Sequence, residues 1–369
     1  MISEKPLVPK NIERLQPYVA GKTIAEVKER YNPARISKLA SNENRLGCSP
    51  KVKEAVLKAL GEIQDYPDPA SRKLRQMIAD RNEVKPENVI VAAGSESLIA
   101  IICRTFFLDD ENAVTADASF VGFFVQAGIR GIELKKVPLT GDYRFDVDGL
   151  LGAVDHQTKM IYIANPNNPT GTYINKDEYL YLLEQLPDDL MLINDEAYFE
   201  YARQIEDYPV GLDYNRKNVI VLRTFSKAYG LAGCRIGYAI ADANLISEMM
   251  KTKLTFEPSV TAQAAAAAAY EDEAFLEESL RVVEKGRERL FKLFDSHGID
   301  YARSISNSVM MVLDNEEKAK IFTQKMLETG VILRRTHSFG IPNAIRITIG
   351  TEEEMDHFER SFHQVLALM

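Results

Sequence analysis

The feature that most constrains this chain is a series of short apolar runs, bounded by turn residues and separated by amphipathic segments. Val89–Ala93, Met160–Ala164, Leu190–Ile193, Val219–Leu222 and Ile236–Ile240 are each rich in Val, Ile or Leu. Runs of this kind are strands buried on both faces. Helical patterns lie between most of them, which predicts βαβ units and an α/β fold with a mostly parallel central sheet flanked by helices. In such a sheet, ligands bind beyond the carboxyl ends of the strands. The residues just after each run are therefore the first to search for chemistry.

The last hundred residues read differently. Charged helical segments, Glu271–Phe294 and Glu316–Thr329, flank two strand-like pieces, Ser308–Leu313 and Ala344–Ile349. This predicts a smaller α+β domain over 259–369, after a large domain over 36–258. Residues 1–35 lack strand character and are expected to pack on the small domain or on a partner subunit. Ser49-Pro50 before Val52, Ala55, Val56 and Ala59 reads as an N-capped amphipathic helix. The six alanines Ala264–Ala269 read as a tightly packed helix.

Several function classes are excluded or disfavoured. The 369 residues carry 45 Lys+Arg and 54 Asp+Glu, a net charge of −9, which is not the footprint of a general nucleic-acid binder. Cys48, Cys103 and Cys234 are sparse and odd in number, so no disulfide framework is expected. The histidines form no H-E-x-x-H, and no metal site is expected. Residues 1–13 lack an apolar h-region, and no run spans a bilayer, so the expectation is a soluble, cytoplasmic protein. Gly21-Lys22-Thr23 has Gln16 where a phosphate loop needs its first glycine, and reads as a turn. Neither G-x-S-x-G nor a strand-borne G-x-G-x-x-G occurs.

Three segments carry the chemistry. Asn165-Pro166-Asn167-Asn168-Pro169-Thr170-Gly171 follows one strand as a rigid turn; alone it is as readily a plain turn as a site. Asp195-Glu196-Ala197-Tyr198 follows another, where an Asp and a Tyr three residues apart can both face a crevice; a helix-capping carboxylate is the plain alternative. The third, Thr224 to Gly237, places Lys227 among small and hydroxyl residues, with Arg235 eight positions on. A poorly solvated lysine loses part of its proton affinity and can form a Schiff base with a carbonyl; a snorkelling surface lysine is the commoner fate.

Taken together, Asn168, Asp195, Lys227 and Arg235 at successive strand ends resemble the fold-type-I, class I/II aminotransferases that use pyridoxal 5′-phosphate (PLP). The resemblance runs from Pro17-Tyr18 through Ser41-Asn42-Glu43-Asn44 to Arg346–Thr351. It is greatest to the histidinol-phosphate aminotransferases. It implies that Lys227 binds the cofactor's aldehyde and then shuttles a proton. Asp195 would keep the pyridine nitrogen protonated, and Asn168 and Tyr198 would hydrogen-bond the ring's 3-oxygen. Ser95, Glu96 and Ser97, at a helix start after Gly94, would offer backbone donors to the cofactor phosphate, joined by Thr224, Ser226 and Arg235. Phe123 matches the aromatic that stacks on the ring. Tyr66 matches a tyrosine that reaches the neighbouring subunit's cofactor, which implies a homodimer with shared sites.

For substrates, the resemblance implies an amino donor and a 2-oxo acid acting in turn at one pocket. Arg346 would grip an α-carboxylate. Tyr18 and Arg334 would hold a substrate phosphate, and Asn44 lies in a stretch expected to line the pocket. Relatives usually have proline where this chain has Arg45, and a Pro-Phe-Asn run where it has Leu254–Val260. Those departures leave open an aromatic or other amino-acid aminotransferase, or a PLP lyase or phospho-amino-acid decarboxylase. Arg45 itself could favour an acidic substrate or face solvent. A PLP-sensing regulator would need a DNA-binding domain for which there is no room.

Overall fold

The computed structural model describes residues 7–15, 21–214 and 216–369. After a short strand β1 (Ser37–Lys38) come the seven strands of the main sheet. They are β2 (Val89–Ala92), β3 (Asn112–Ala116), β4 (Glu133–Val137), β5 (Thr158–Ala164), β6 (Met191–Asp195), β7 (Val219–Thr224) and β8 (Gly237–Ile240). Their spatial order is β2-β8-β7-β6-β5-β3-β4. Only β8 runs against its neighbours; the pairings from β7 across to β4 are all parallel. The α/β fold with a mostly parallel sheet is thus present.

Both faces of this sheet are covered. Ile90, Tyr162, Ile193 and Leu222 pack with Leu98, Ile99 and Ile102 of the helix Ser95–Phe106. Ile161, Ile163, Leu192 and Val221 pack on the other side with Tyr179 and Leu182 of the helix Lys176–Gln185. The apolar runs are therefore continuous because neither face meets water. β4, Glu-Leu-Lys-Lys-Val, is an edge strand whose charges are tolerated because it has one neighbour.

The C-terminal part adds β9 (Asp300–Tyr301), β10 (Ser308–Val312), β11 (Val331–Ile332), β12 (Arg334–Arg335) and β13 (Ala344–Thr348). Four of these form an antiparallel sheet in the order β12-β13-β10-β9, while β11 pairs in parallel with β1. Helices Glu273–His297, Glu316–Glu328 and Glu352–Leu366 surround that sheet. A continuous apolar cluster runs from Leu39 and Phe225 through Phe294 to Phe322 and Phe362, welding the two parts together. The alanine tract is the helix Val260–Tyr270, and its small side chains let it lie closely on the helix Pro50–Ala59. Ser49 caps the latter by accepting from the Lys51 N–H. Gly21-Lys22-Thr23 ends in a helix start, where Thr23 and Glu26 form a capping box on the helix Ile24–Tyr31.

Among the described residues no helix is long and apolar enough to cross a membrane. None of their His, Cys, Asp and Glu side chains cluster in a way that could hold a metal ion.

Candidate active site

The ends of β5, β6 and β7 open into one cavity. Ser95, Glu96, Phe120, Asn168, Asp195, Tyr198, Thr224, Ser226, Lys227 and Arg235 are among its walls. The turn after β5 is held from outside. Asn167 donates to the Ala118 carbonyl at 3.0 Å and accepts from Ser119 at 3.0 Å, and Asn165 accepts from the Ile174 N–H. With its neighbours so tied, Asn168 is the asparagine that faces the cavity, where its carbonyl oxygen accepts from Arg346.

Asp195 ends β6 and is buried. Its Oδ2 accepts from the Tyr162 hydroxyl at 2.7 Å and its Oδ1 from the Ala197 N–H at 3.1 Å. Burial pushes its carboxyl up to about 6, although both hydrogen bonds favour the ionised form. Lys227 follows β7, with Nζ 3.5 Å from the Ser41 carbonyl and 5.7 Å from the centre of the Tyr198 ring. Burial and then the Arg346 guanidinium bring its ammonium down to about 8. A measurable fraction of neutral amine therefore exists near pH 7, as nucleophilic attack on a carbonyl requires.

One end of the cavity is built for a dianion. The helix Ser95–Phe106 points its first turn there, and no side chain caps it. Gly94 has φ +90°, and a β-carbon on it would lie 2.9 Å from Arg235 Nη2, so only glycine admits the guanidinium so close to the helix start. Arg235 also reaches Ser226 Oγ at 3.5 Å. Thr224 and Ser226 complete that wall. The Ser97 hydroxyl turns away to Glu257, leaving its backbone to serve.

Two arginines lie next to this cavity, Arg346 bonded to its Asn168 and Arg334 beside Arg346. Arg334 on β12 stands directly opposite Arg346 on β13, so the two side chains share one face of the sheet. Both lie over the Phe339 ring, at 5.8 and 5.6 Å. Arg346 also donates to the Ala40 carbonyl at 2.7 Å. Gly21 lies against Arg334, at 3.6 Å from Nη1 for a built β-carbon. Tyr18 lies outside the described residues.

Three expectations need correction. Phe123 is not at the cavity: it is 1% exposed and stacks on Tyr162 at 4.1 Å, so it braces the residue that holds Asp195. Phe120, at the start of the same helix, is the aromatic at the cavity wall. Asn44 spends its amide nitrogen on the Ala228 carbonyl and Ser279, both at 2.8 Å, and its oxygen on the Leu46 N–H. It braces the chain beside Lys227 with both amide hydrogens in use, and it is not among the residues lining the cavity. Arg45 is not at the cavity: it is partly exposed and paired with Glu354. Tyr66 lies away from this chain's own cavity, exposed and stacked on Phe256 at 4.1 Å.

The comparisons agree with this geometry. Residues 34–362 match the model of the family "Aminotransferase class I and II". The chain belongs to the class I and II aminotransferases. It is 41% identical over 354 residues to a histidinol-phosphate aminotransferase of Geobacillus sp. (strain WCH70), covering 95% of this chain and 96% of that one. It is 38% identical to the Bacillus subtilis (strain 168) histidinol-phosphate aminotransferase, over 97% of this chain and 99% of the relative. A crystal structure of histidinol-phosphate aminotransferase from Sinorhizobium meliloti in complex with pyridoxal-5′-phosphate superposes with a TM-score of 0.90 at 28% identity, covering 100% and 99% of the two chains.

Tyr162, Phe120 and Asn42 were missed from sequence. A lone tyrosine in the otherwise aliphatic strand Met160–Ala164 was a signal for the first, because a buried hydroxyl needs a partner.

Proposed function

We propose that this chain transfers an amino group from histidinol phosphate to 2-oxoglutarate through PLP, giving imidazole-acetol phosphate and glutamate in histidine biosynthesis. The observation that carries the substrate reading is the pair Arg334 and Arg346 on one sheet face, joined to the cavity where Arg346 donates to Asn168. Two adjacent guanidinium groups suit a pocket that takes a carboxylate from one substrate and a phosphate from the other. The names of the relatives point the same way.

The residues fit PLP. The uncapped helix start, Gly94 and Arg235 suit its phosphate, with Thr224, Ser226 and the backbone of Ser95, Glu96 and Ser97. When bound, PLP would supply an aldehyde for the amine and an electron-accepting ring. Asp195, buried and already braced by Tyr162, would hold a proton on the ring nitrogen. Asn168 and Tyr198, both on the cavity wall, would hold the ring's 3-oxygen, and Phe120 would offer the ring a face. Lys227, whose burial leaves part of its amine neutral, would hold the cofactor's aldehyde and would be the base within reach of a proton on the substrate's α-carbon.

The departure at Arg45 is taken up by Glu354, and Leu254–Val260 lies off this chain's own cavity, on the side of Tyr66. A homodimer with Tyr66 serving the partner's cofactor completes the reading, and the unpaired cysteines suit a cytoplasmic setting. We divide the chain as an N-terminal segment 1–35, a PLP-binding domain 36–258 and a small domain 259–369.

The test is an absorbance titration of the PLP-loaded protein. Glutamate should bleach the cofactor band and imidazole-acetol phosphate should restore it. Restoration by unphosphorylated 2-oxo acids alone would overturn the substrate reading. Lys227→Ala should abolish both the covalent cofactor band and turnover; undiminished turnover would overturn the mechanism.

A further inference from the structure

We propose that Asn42 is a positioning residue that sets which way the Tyr198 hydroxyl points its hydrogen. The inference rests on the PLP reading above and names what aims the phenol at the 3-oxygen. Asn42 lies in the loop between β1 and the helix Pro50–Ala59, buried, with φ +54°. Asparagine tolerates that left-handed backbone better than most residues.

The direction of the Asn42 amide follows from its neighbours. Its backbone N–H can only donate, and it donates to Thr348 Oγ1 at 2.9 Å. The Thr348 hydroxyl is thereby an acceptor on that side, and its own hydrogen goes to Asn42 Oδ1 at 3.0 Å. That makes Oδ1 the end facing Thr348, so Nδ2 faces Tyr198 Oη at 2.8 Å and Ser308 Oγ at 3.1 Å. The Asn42 carbonyl is held as well, by Asn307 Nδ2 at 3.0 Å.

An amide nitrogen has no acceptor to offer. The Tyr198 oxygen must therefore accept from Asn42, and the phenolic hydrogen is directed elsewhere. The other side of the hydroxyl is the cavity that Tyr198 shares with Asn168 and Lys227. Thr348 is on β13, the strand that carries Arg346, and Ser308 is on β10 beside it. The orientation of a phenol in the PLP-binding part is thus set by a relay from the C-terminal sheet.

A donor at the cofactor's 3-oxygen competes with the proton held between that oxygen and the lysine nitrogen, and so favours its loss. The experiment is a pH titration of the cofactor absorbance in the loaded protein. Tyr198→Phe should raise the midpoint by about one pH unit. Asn42→Asp, whose ionised carboxylate can only accept, should capture the phenolic hydrogen and raise the midpoint as Tyr198→Phe does. The added carboxylate also raises the midpoint through its charge, so the double variant should lie above Tyr198→Phe but short of the sum of the two singles, because both remove the same donor. Arg346, Glu43, Arg235 and Asp195, the charged groups around Lys227, are kept in every variant, so the one new charge is the carboxylate of Asn42→Asp, whose effect the Tyr198→Phe background measures by itself.

Should Asn42→Asp fail to fold, Thr348→Val removes the hydroxyl that orients the amide and should move the midpoint in the same direction. A folded Asn42→Asp or Thr348→Val with the parent's midpoint overturns the proposal, as does a double variant whose shift is the sum of the singles. A parent protein that shows no cofactor band at all fails the PLP reading instead, so the two failures are distinct.

Discussion

Acids and bases buried in a protein are pushed toward neutrality, and three side chains here show it. Asp195 is raised to about 6 and Lys227 lowered to about 8; the second change supplies neutral amine, while the first still leaves Asp195 mostly ionised at pH 7, as its proposed role requires. Removing the carboxylate in Asp195→Ala should cut turnover by about 10²-fold or more, since one preorganised charge at a developing carbanion is worth several kcal/mol; kcat measured at saturating PLP decides it. The third residue is Glu200, in the short helix Phe199–Ala202, fully buried and raised to about 7 by that burial. Among the described residues its Oε2 has no hydrogen-bond partner. An acid whose folded pKa lies above its unfolded value stabilises at low pH, and that contribution is lost as pH rises through the folded value. The window for Glu200 therefore runs from the ordinary glutamate range up to about 7. Melting temperatures of the parent should fall between pH 5 and pH 8 more steeply than those of Glu200→Gln. Asp195 titrates in the same sense in both proteins and cancels. Parallel curves would remove Glu200 from the account.

Strands and turns were legible from sequence where one physical constraint dominated. β2, β5, β6, β7 and β8 were found because strands buried on both faces must be apolar throughout. β4 was not, because an edge strand with two lysines carries no such signature, and the two-residue strands are too short to have any. Asn168, Asp195, Lys227 and Arg235 stood out because strand ends meet at one crevice. The confusion of Phe123 with Phe120 has a different origin. Phe120 is the residue just before the helix Val121–Arg130 and Phe123 lies three positions on, so helical periodicity puts both on nearly the same side and nothing local says which of them faces the core. Asn44 and Arg45 show the same blindness to long-range partners. Arg45 Nε and Nη2 grip Glu354 Oε1 at 3.0 and 2.8 Å, and Glu354 also caps the helix Glu352–Leu366. The pair ties the loop carrying Ser41 and Asn42 to the last helix. Arg45→Met, which keeps the apolar stem, should cost about 1–3 kcal/mol of stability, since the carboxylate it abandons is largely buried. Chemical denaturation reads that loss. A rise in KM for the phosphorylated acceptor with unchanged stability would instead return Arg45 to substrate binding.

At the scale of the whole molecule the open question is what covers the apolar surface beside Tyr66. Leu57, Leu60, Ile63, Tyr66, Leu254 and Phe256 are all exposed, and Tyr66 and Phe256 stack on each other. A charge of −9 would keep a lone chain dispersed, so a patch of this kind is better explained by association than by chance. A twofold dimer formed through this face would carry each Tyr66 toward the other chain's PLP phosphate, as the family resemblance implies. Two inactive variants then become complementary. Lys227→Ala lacks the amine but keeps Tyr66; Tyr66→Ala keeps the amine but lacks the phenol. In a mixed dimer one site has both defects and the other has neither. Random pairing of equal amounts makes half the dimers mixed, each with one intact site, so co-expression should recover about a quarter of the parent's activity. Each variant expressed alone should stay near zero. If the co-expressed pair yields no more than the variants do separately, although sedimentation shows mixed dimers, then Tyr66 works within its own chain and the sites are not shared.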